Sequence, residues 1–175
     1  NKNPTKVIQA IQSIQADVVV LTEANKRWKN DLSSVINSLY PFKVEIALPN
    51  TYGMLFYSKH KLINPEIKYL INDSIPSIHT KLQLPNQSIV QFYAIHPTPP
   101  MPQENPMSTE RDAELMLVAK MARNSEIPVI VLGDLNDVAW SETSNLFKVL
   151  VSAVPEFLSS IISNSTLHPS LSLSI

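Results

Sequence analysis

The sequence predicts a layered α/β domain, sheets inside and helices outside. Three observations carry that expectation. Apolar residues recur at helical spacing in three separate segments; the apolar period changes to two from residue 42; and two short apolar runs, DVVVLT and PVIVL, lie beside the helical segments. The resulting order is α, β, α, several β, α, β, with no internal repeat, which suits a single layered core.

The opening segment NKNPTKVIQAIQSIQ places Val7, Ile8, Ile11 and Ile14 on one helical face, with glutamines opposite. Asn3 is the expected cap and Pro4 suits the first turn, where its missing N–H costs nothing. DVVVLTEA follows as a short buried strand ending at Glu23. KRWKNDLSSVINSLYP then repeats the helical spacing through Trp28, Leu32, Val35 or Ile36, and Leu39, until Pro41 stops it. FKVEIAL, GMLFYS, EIKYLI, SIHTKLQL and IVQFYAI alternate as successive strands of a largely antiparallel meander. Five prolines crowd the ten residues PTPPMPQENP, after which Thr109 opens a helix, TERDAELMLVAKMARN. Its Thr-x-x-Asp start resembles a capping box, and Leu115, Val118, Ala119 and Ala122 point inward. PVIVL is the last expected strand.

Composition narrows the function classes. With 14 basic and 15 acidic residues, no global positive field marks the chain for nucleic acid. The absence of cysteine excludes disulfides and thiolate metal sites. No apolar run reaches the roughly 18 residues of a transmembrane helix. Glycine occurs only twice, so each glycine is expected to mark a special backbone position.

Three strand ends carry the candidate chemistry: Glu23, His96, and Asp134 with Asn136. Sites gather where strands of layered α/β proteins give way to loops. Carboxylates hold a hard, water-rich cation such as Mg²⁺. An amide can orient a nucleophile without adding charge, and an imidazole can donate to a phosphate or leaving oxygen. Each residue also has a structural alternative: turn or helix cap for the acids, a satisfied loop residue for His96. Asp137 is expected to cap a following helix, and His79, in an alternating strand, to face solvent. VIVLGD resembles a Walker B strand, but the chain has no phosphate-binding glycine loop to accompany it. DLNDVAWSETSN departs from a calcium loop at Val138 and Ala139.

DVVVLTEANKRW, GMLFYSK, YAIHPTPP and PVIVLGDLND stand in the order and approximate spacing of the endonuclease/exonuclease/phosphatase superfamily, which the chain resembles over roughly residues 4–148. The resemblance implies a DNase I-like fold and Mg²⁺-dependent hydrolysis of a phosphate ester, chiefly a phosphodiester, by a nuclease or other phosphodiesterase; Mn²⁺ is the expected substitute metal. It assigns the metal to Glu23, water activation and phosphate positioning to Asp134 and Asn136, and a phosphate contact to His96. Gly53 matches the glycine that opens a core strand, and Arg111 is a looser match to a phosphate contact, with a solvated helix residue as its alternative. DNA, a phospholipid or a small phosphodiester are the implied substrates. The HPTPP loop looks most like a bacterial branch, whose members often carry N-terminal membrane segments before the catalytic domain; the resemblance thus implies a bacterial protein that is either cytoplasmic or membrane-anchored with an extracytoplasmic domain. The competing reading is a non-catalytic binding module that keeps the fold and uses the Pro-rich loop for contact.

The same resemblance leads us to expect a partial domain over 1–148. A first strand with an asparagine metal ligand and a late Asp-His pair are the parts of the family pattern not found, and no aspartate follows Asp137. Residues 149–175 hold eight serines and one charged side chain, Glu156, and His168 has no carboxylate beside it. That tail is expected to be truncated or read in a shifted frame.

Overall fold

The computed structural model describes residues 3–99 and 109–136, with Thr143 and Leu146 beyond them. Asp137, the tail from 149 and most of the Pro-rich loop therefore lie outside the described residues.

Helix α1 (Pro4–Ile14) starts as the sequence dictates: the Asn3 side chain accepts from the Thr5 N–H, and Pro4 occupies the first turn. Strand β1 (Val18–Thr22) leads to α2 (Lys26–Leu39), capped by the Asn25 side chain on the N–H groups of Arg27 and Trp28. Five strands follow: β2 (Phe42–Ile46), β3 (Met54–Ser58), β4 (Lys61–Lys68), β5 (Ser77–Gln83) and β6 (Ile89–Ile95). Helix α3 (Thr109–Arg123) and strand β7 (Val129–Gly133) complete the described order.

The strands form two sheets, β1-β3-β2 and β4-β5-β6-β7. Among the described residues all pairings are antiparallel except β6 with β7. That parallel pair requires a crossover, which α3 provides. Alternation along the strands then builds four layers. Val19, Leu21, Leu55 and Tyr57 meet α1 and α2 through Ile11, Leu32, Val35 and Ile36. On the opposite face Val18, Val20, Met54 and Phe56 pack against Ile78, Leu82, Phe92 and Ala94 of the second sheet. Phe56 and Phe92 meet edge to face across this interface, with centroids 6.0 Å apart. Tyr93, Ile95 and Val129 face Leu115, Val118, Ala119 and Ala122 of α3. The layered α/β class is thus as the sequence predicts, and so is the inward face of α3.

Three local expectations need correction. The strands from residue 42 do not form one meander: β3 pairs back onto β1 as well as β2, and β3 and β4, consecutive in sequence, lie in different sheets. Both faces of β3 are buried, so it takes a central place that its hairpin partner alone could not provide. Strand β4 begins earlier than EIKYLI, at Lys61, and changes register between Ile63 and Glu66. Asn64 there is left-handed (φ 47°) and Pro65 follows, a combination suited to an edge-strand irregularity. His79 does not face solvent. It is 5% exposed, its Nε2 lies 3.0 Å from Ser77 Oγ, and its ring meets Tyr93 edge-on at 4.8 Å. Both faces of β5 are covered at this point, so alternation marks a second packing surface there and not a wet one.

Burial lowers the His79 pKa to about 4 and raises that of Glu114, on α3, to about 7. Glu114 is 3% exposed, and its Oε1 has no hydrogen-bond partner. The two groups tilt stability in opposite directions. For His79 the folded value lies below the ordinary 6.5, so stability is lost as pH falls from 6.5 toward 4. For Glu114 the folded value lies above the ordinary 4.5, so stability is greatest below 4.5 and is lost as pH rises through 7. Glu114→Gln should therefore stabilise the fold by on the order of 2 kcal/mol at about pH 8 and far less at about pH 4.5. Urea unfolding at both pH values reads the difference; equal gains would show that another group titrates.

Candidate active site

The register of the parallel pair aligns Ile95 with Gly133, so the next residues, His96 and Asp134, leave the sheet side by side. Gly133 allows this approach. A Cβ there would lie 1.8 Å from the Ile95 carbonyl oxygen, and its φ of +136° is one that L side chains rarely adopt. The other glycine does comparable work at the third strand end. A Cβ on Gly53 would lie 1.9 Å from the Ala24 carbonyl oxygen, while the Gly53 carbonyl accepts from the Ala24 N–H at 3.0 Å. Ala24 is thereby held against β3 and Asn25 caps α2, while Glu23, between the end of β1 and Ala24, has a left-handed φ of 54°. Such a conformation is unfavourable for a glutamate and persists only where neighbours fix the backbone on both sides.

Glu23 and Asp134 line one groove of about 280 Å³ together with Val7, Leu21, Thr22, Ala24 and Trp28. His96 stands next to these acids. It is 4% exposed and its Nδ1 has no hydrogen-bond partner, while its ring lies 6.0 Å from that of Tyr52. Burial pulls the imidazole pKa down, and the negative charges of Asp134 and Glu23 oppose that shift. The net direction is downward, which favours neutral imidazole near neutral pH, able to donate from one ring nitrogen and accept at the other.

The turn after β7 is tightly held. Asp134 Oδ1 accepts the Asn136 backbone N–H at 3.0 Å, and Asn136 adopts the left-handed region (φ 50°), which asparagine tolerates better than most residues. The Asn136 side-chain amide donates to the Pro97 carbonyl at 2.8 Å, tying this turn to the residue after His96. Arg111, in the first turn of α3, is 8% exposed, so it is not a solvated helix residue. Its Nη1 donates to the Asn136 carbonyl at 2.9 Å, and its Nε and Nη2 donate to Asp112 Oδ1 at 3.0 and 2.8 Å.

All the sequence-predicted site residues thus gather at one end of the sheets. Sequence reasoning missed Tyr52 beside His96 and Trp28 in the groove wall. Tyr52 precedes Gly53 in a loop, and only pairing across the sheets brings it to a residue 44 positions later. Trp28 follows the helical period, which signals core packing and gives no hint of the adjacent groove.

The donor set suits a hard cation. Among the described residues no three acidic or histidine side chains cluster closely enough to hold a metal ion by themselves. Two carboxylates at one groove nevertheless match the way Mg²⁺ is commonly held, through one or two carboxylates with water completing the octahedron. The described residues contain no helix long and apolar enough to cross a membrane.

Comparison with known proteins identifies the family and the fold. The model of the Endonuclease/Exonuclease/phosphatase family matches residues 1–152. No curated protein sequence matches the chain. Among solved structures, sphingomyelinase C from Streptomyces griseocarneus superimposes with a TM-score of 0.68 at 18% identity, over 85% of this chain and 61% of that one. The human Nocturnin catalytic domain with bound sulfate gives 0.61 at 18% identity, over 83% and 61% of the two chains. A humanized D. rerio TDP2 gives 0.65 at 16% identity, over 87% and 60%. The fold is therefore DNase I-like, and the chain spans about 60% of the length of these three structures.

The two glycine contacts yield a direct test. Gly133→Ala must relieve both a backbone clash and an unfavourable φ, and should cost about 2–4 kcal/mol; Gly53→Ala meets the Ala24 carbonyl and should cost about as much. Chemical denaturation measures both, and a loss under about 0.5 kcal/mol at either position would show that its strand end is not closely packed.

Proposed function

The chain belongs to the Endonuclease/Exonuclease/phosphatase family, and on that premise we propose that it hydrolyses a phosphate ester, a phosphodiester in the first instance, with a divalent cation held at Glu23. The observation that carries this reading is a buried imidazole with an unpartnered Nδ1 beside two carboxylates, at the ends of three strands. A histidine with only a structural role is normally satisfied by a hydrogen bond when buried, whereas His96 keeps a ring nitrogen for a group that the protein itself does not provide.

Asp134 is the acceptor for the proton of the attacking water. Its Oδ1 is anchored by the Asn136 N–H, so the carboxylate is oriented before substrate arrives. Asn136 fixes the turn and, through Pro97, the path of the chain beyond His96. His96 supplies a hydrogen bond to a phosphoryl or leaving oxygen; as neutral imidazole it adds no charge that would hold product back. Glu23, with water completing the shell, would hold Mg²⁺, or Mn²⁺ in its place. The bound ion supplies positive charge that offsets the negative charge of the phosphate. Val7, Leu21 and Trp28 form the apolar wall of the groove onto which both exposed carboxylates open.

The structural relatives are named for action on different esters, including a sphingomyelinase C and ANGEL2, a 2′,3′-cyclic phosphatase. The shared fold does not choose among DNA, phospholipid and small phosphodiesters, because recognition lies in loops. A near-balanced charge weakens the case for a dedicated DNA binder relative to a smaller ester.

Hydrolysis of bis(p-nitrophenyl) phosphate with Mg²⁺ provides the test. The chain should turn the ester over, a chelator should stop it, and Asp134→Ala should lower kcat by roughly 10²–10⁴. Turnover that survives both treatments unchanged would move the chemistry elsewhere. No turnover together with tight binding of the intact ester would favour the binding-module reading.

A further inference from the structure

We infer that Arg111 is a positioning residue, whose guanidinium, oriented by Asp112, fixes the Asn136 carbonyl and through it both the Asp134 carboxylate and the loop leaving His96. The inference rests on the hydrolase reading for its consequences in catalysis, but not for its geometry.

A guanidinium this deeply buried needs compensation for the water it has lost. Arg111 has it from two directions: Nε and Nη2 converge on Asp112 Oδ1, while Nη1 reaches the Asn136 carbonyl. The planar fork can span these two acceptors at once, whereas an ammonium on a flexible stem cannot hold the same pair with fixed angles. The acceptor matters because Asn136 is left-handed. A peptide in that region has alternatives close in energy, and a charged donor on its carbonyl selects one of them.

Contacts then run onward from Asn136. Its N–H orients Asp134 at 3.0 Å and its amide grips the Pro97 carbonyl at 2.8 Å. One residue, Asn136, thus ties together the turn that aims Asp134 and the chain leaving His96, and Arg111 connects it to α3. The contacts commit much of the guanidinium to the protein, which differs from an arginine whose fork is presented to a phosphate.

The two roles separate experimentally. As a positioning residue, Arg111→Ala should lower kcat toward bis(p-nitrophenyl) phosphate by about 10- to 100-fold with KM within about threefold, the signature of lost orientation. Arg111→Lys should recover only part of the loss. A phosphate contact would instead raise KM, with Lys restoring most of the binding. In the substrate-free protein, ¹H–¹⁵N spectra should show the Asn136 side-chain amide leaving its hydrogen-bonded position in both variants. If Arg111→Ala does not fold, Asp112→Asn keeps the guanidinium but weakens its anchor, and should shift the same amide part of the way. An Asn136 amide unmoved in every folded variant overturns the inference whether or not the parent is active. A parent without turnover, with the amide shifted as expected, would sink the hydrolase reading and leave the positioning role standing.

Discussion

Strands β6 and β7 run parallel, and at their ends the backbone of Gly133 lies against the Ile95 carbonyl, closer than any side-chain-bearing residue would permit. His96 and Asp134 are the next residues on the two strands, so this one contact sets their separation. Parallel pairing demands a crossover, the crossover is α3, and α3 carries Arg111 to the same end. A second close approach, Gly53 against Ala24, brings the β1 end carrying Glu23 into the groove shared with Asp134. A chain with two glycines has used both where strand ends bear the candidate chemistry.

The site gathers several features that are each unfavourable alone. Glu23 and Asn136 are left-handed, His96 is buried with an open ring nitrogen, and Arg111 is a buried charge. Each is unfavourable alone by roughly 1–3 kcal/mol. They are tolerated because three well-packed layers of apolar contacts stand behind them. Glu114 is different: it is buried and partly unpartnered without a place in that network, and only its raised pKa eases the cost.

Sequence periodicity revealed the elements well where one physical signal governed. The α3 line Leu115, Val118, Ala119, Ala122 is buried as its spacing demands, and Asn3 and Pro4 open α1 as their chemistry demands. Strand neighbours were harder, because alternation shows which face is apolar but not which strand lies alongside. That is why β3 was expected beside its sequence neighbours and is found also beside β1. His79 was misread for a related reason: a polar residue in an alternating strand marks the wet face only when nothing covers that face. Strand-end residues Glu23, His96 and Asp134 were legible as a set because each follows an apolar run. Arg111 was named only as a looser match of the resemblance, since its contact with a carbonyl 25 residues later leaves no local mark in the sequence.

Helix α3 therefore serves both stability and site geometry. Ala119 and Ala122 are fully buried, and their small side chains let the helix lie close on Tyr93, Ile95 and Val129. Because α3 is rigid along its length, the depth at which those alanines seat it determines where its first turn stands. That turn holds Arg111, and the Arg111–Asn136 bond at 2.9 Å has little slack. Core packing two to three turns away is thus converted into the position of the Asn136 peptide, and from there into the aim of Asp134 and the path beyond His96. In a site assembled from loops this precision would have to come from the loops themselves. Here it comes from a helix face that the sequence already displays at its ordinary period.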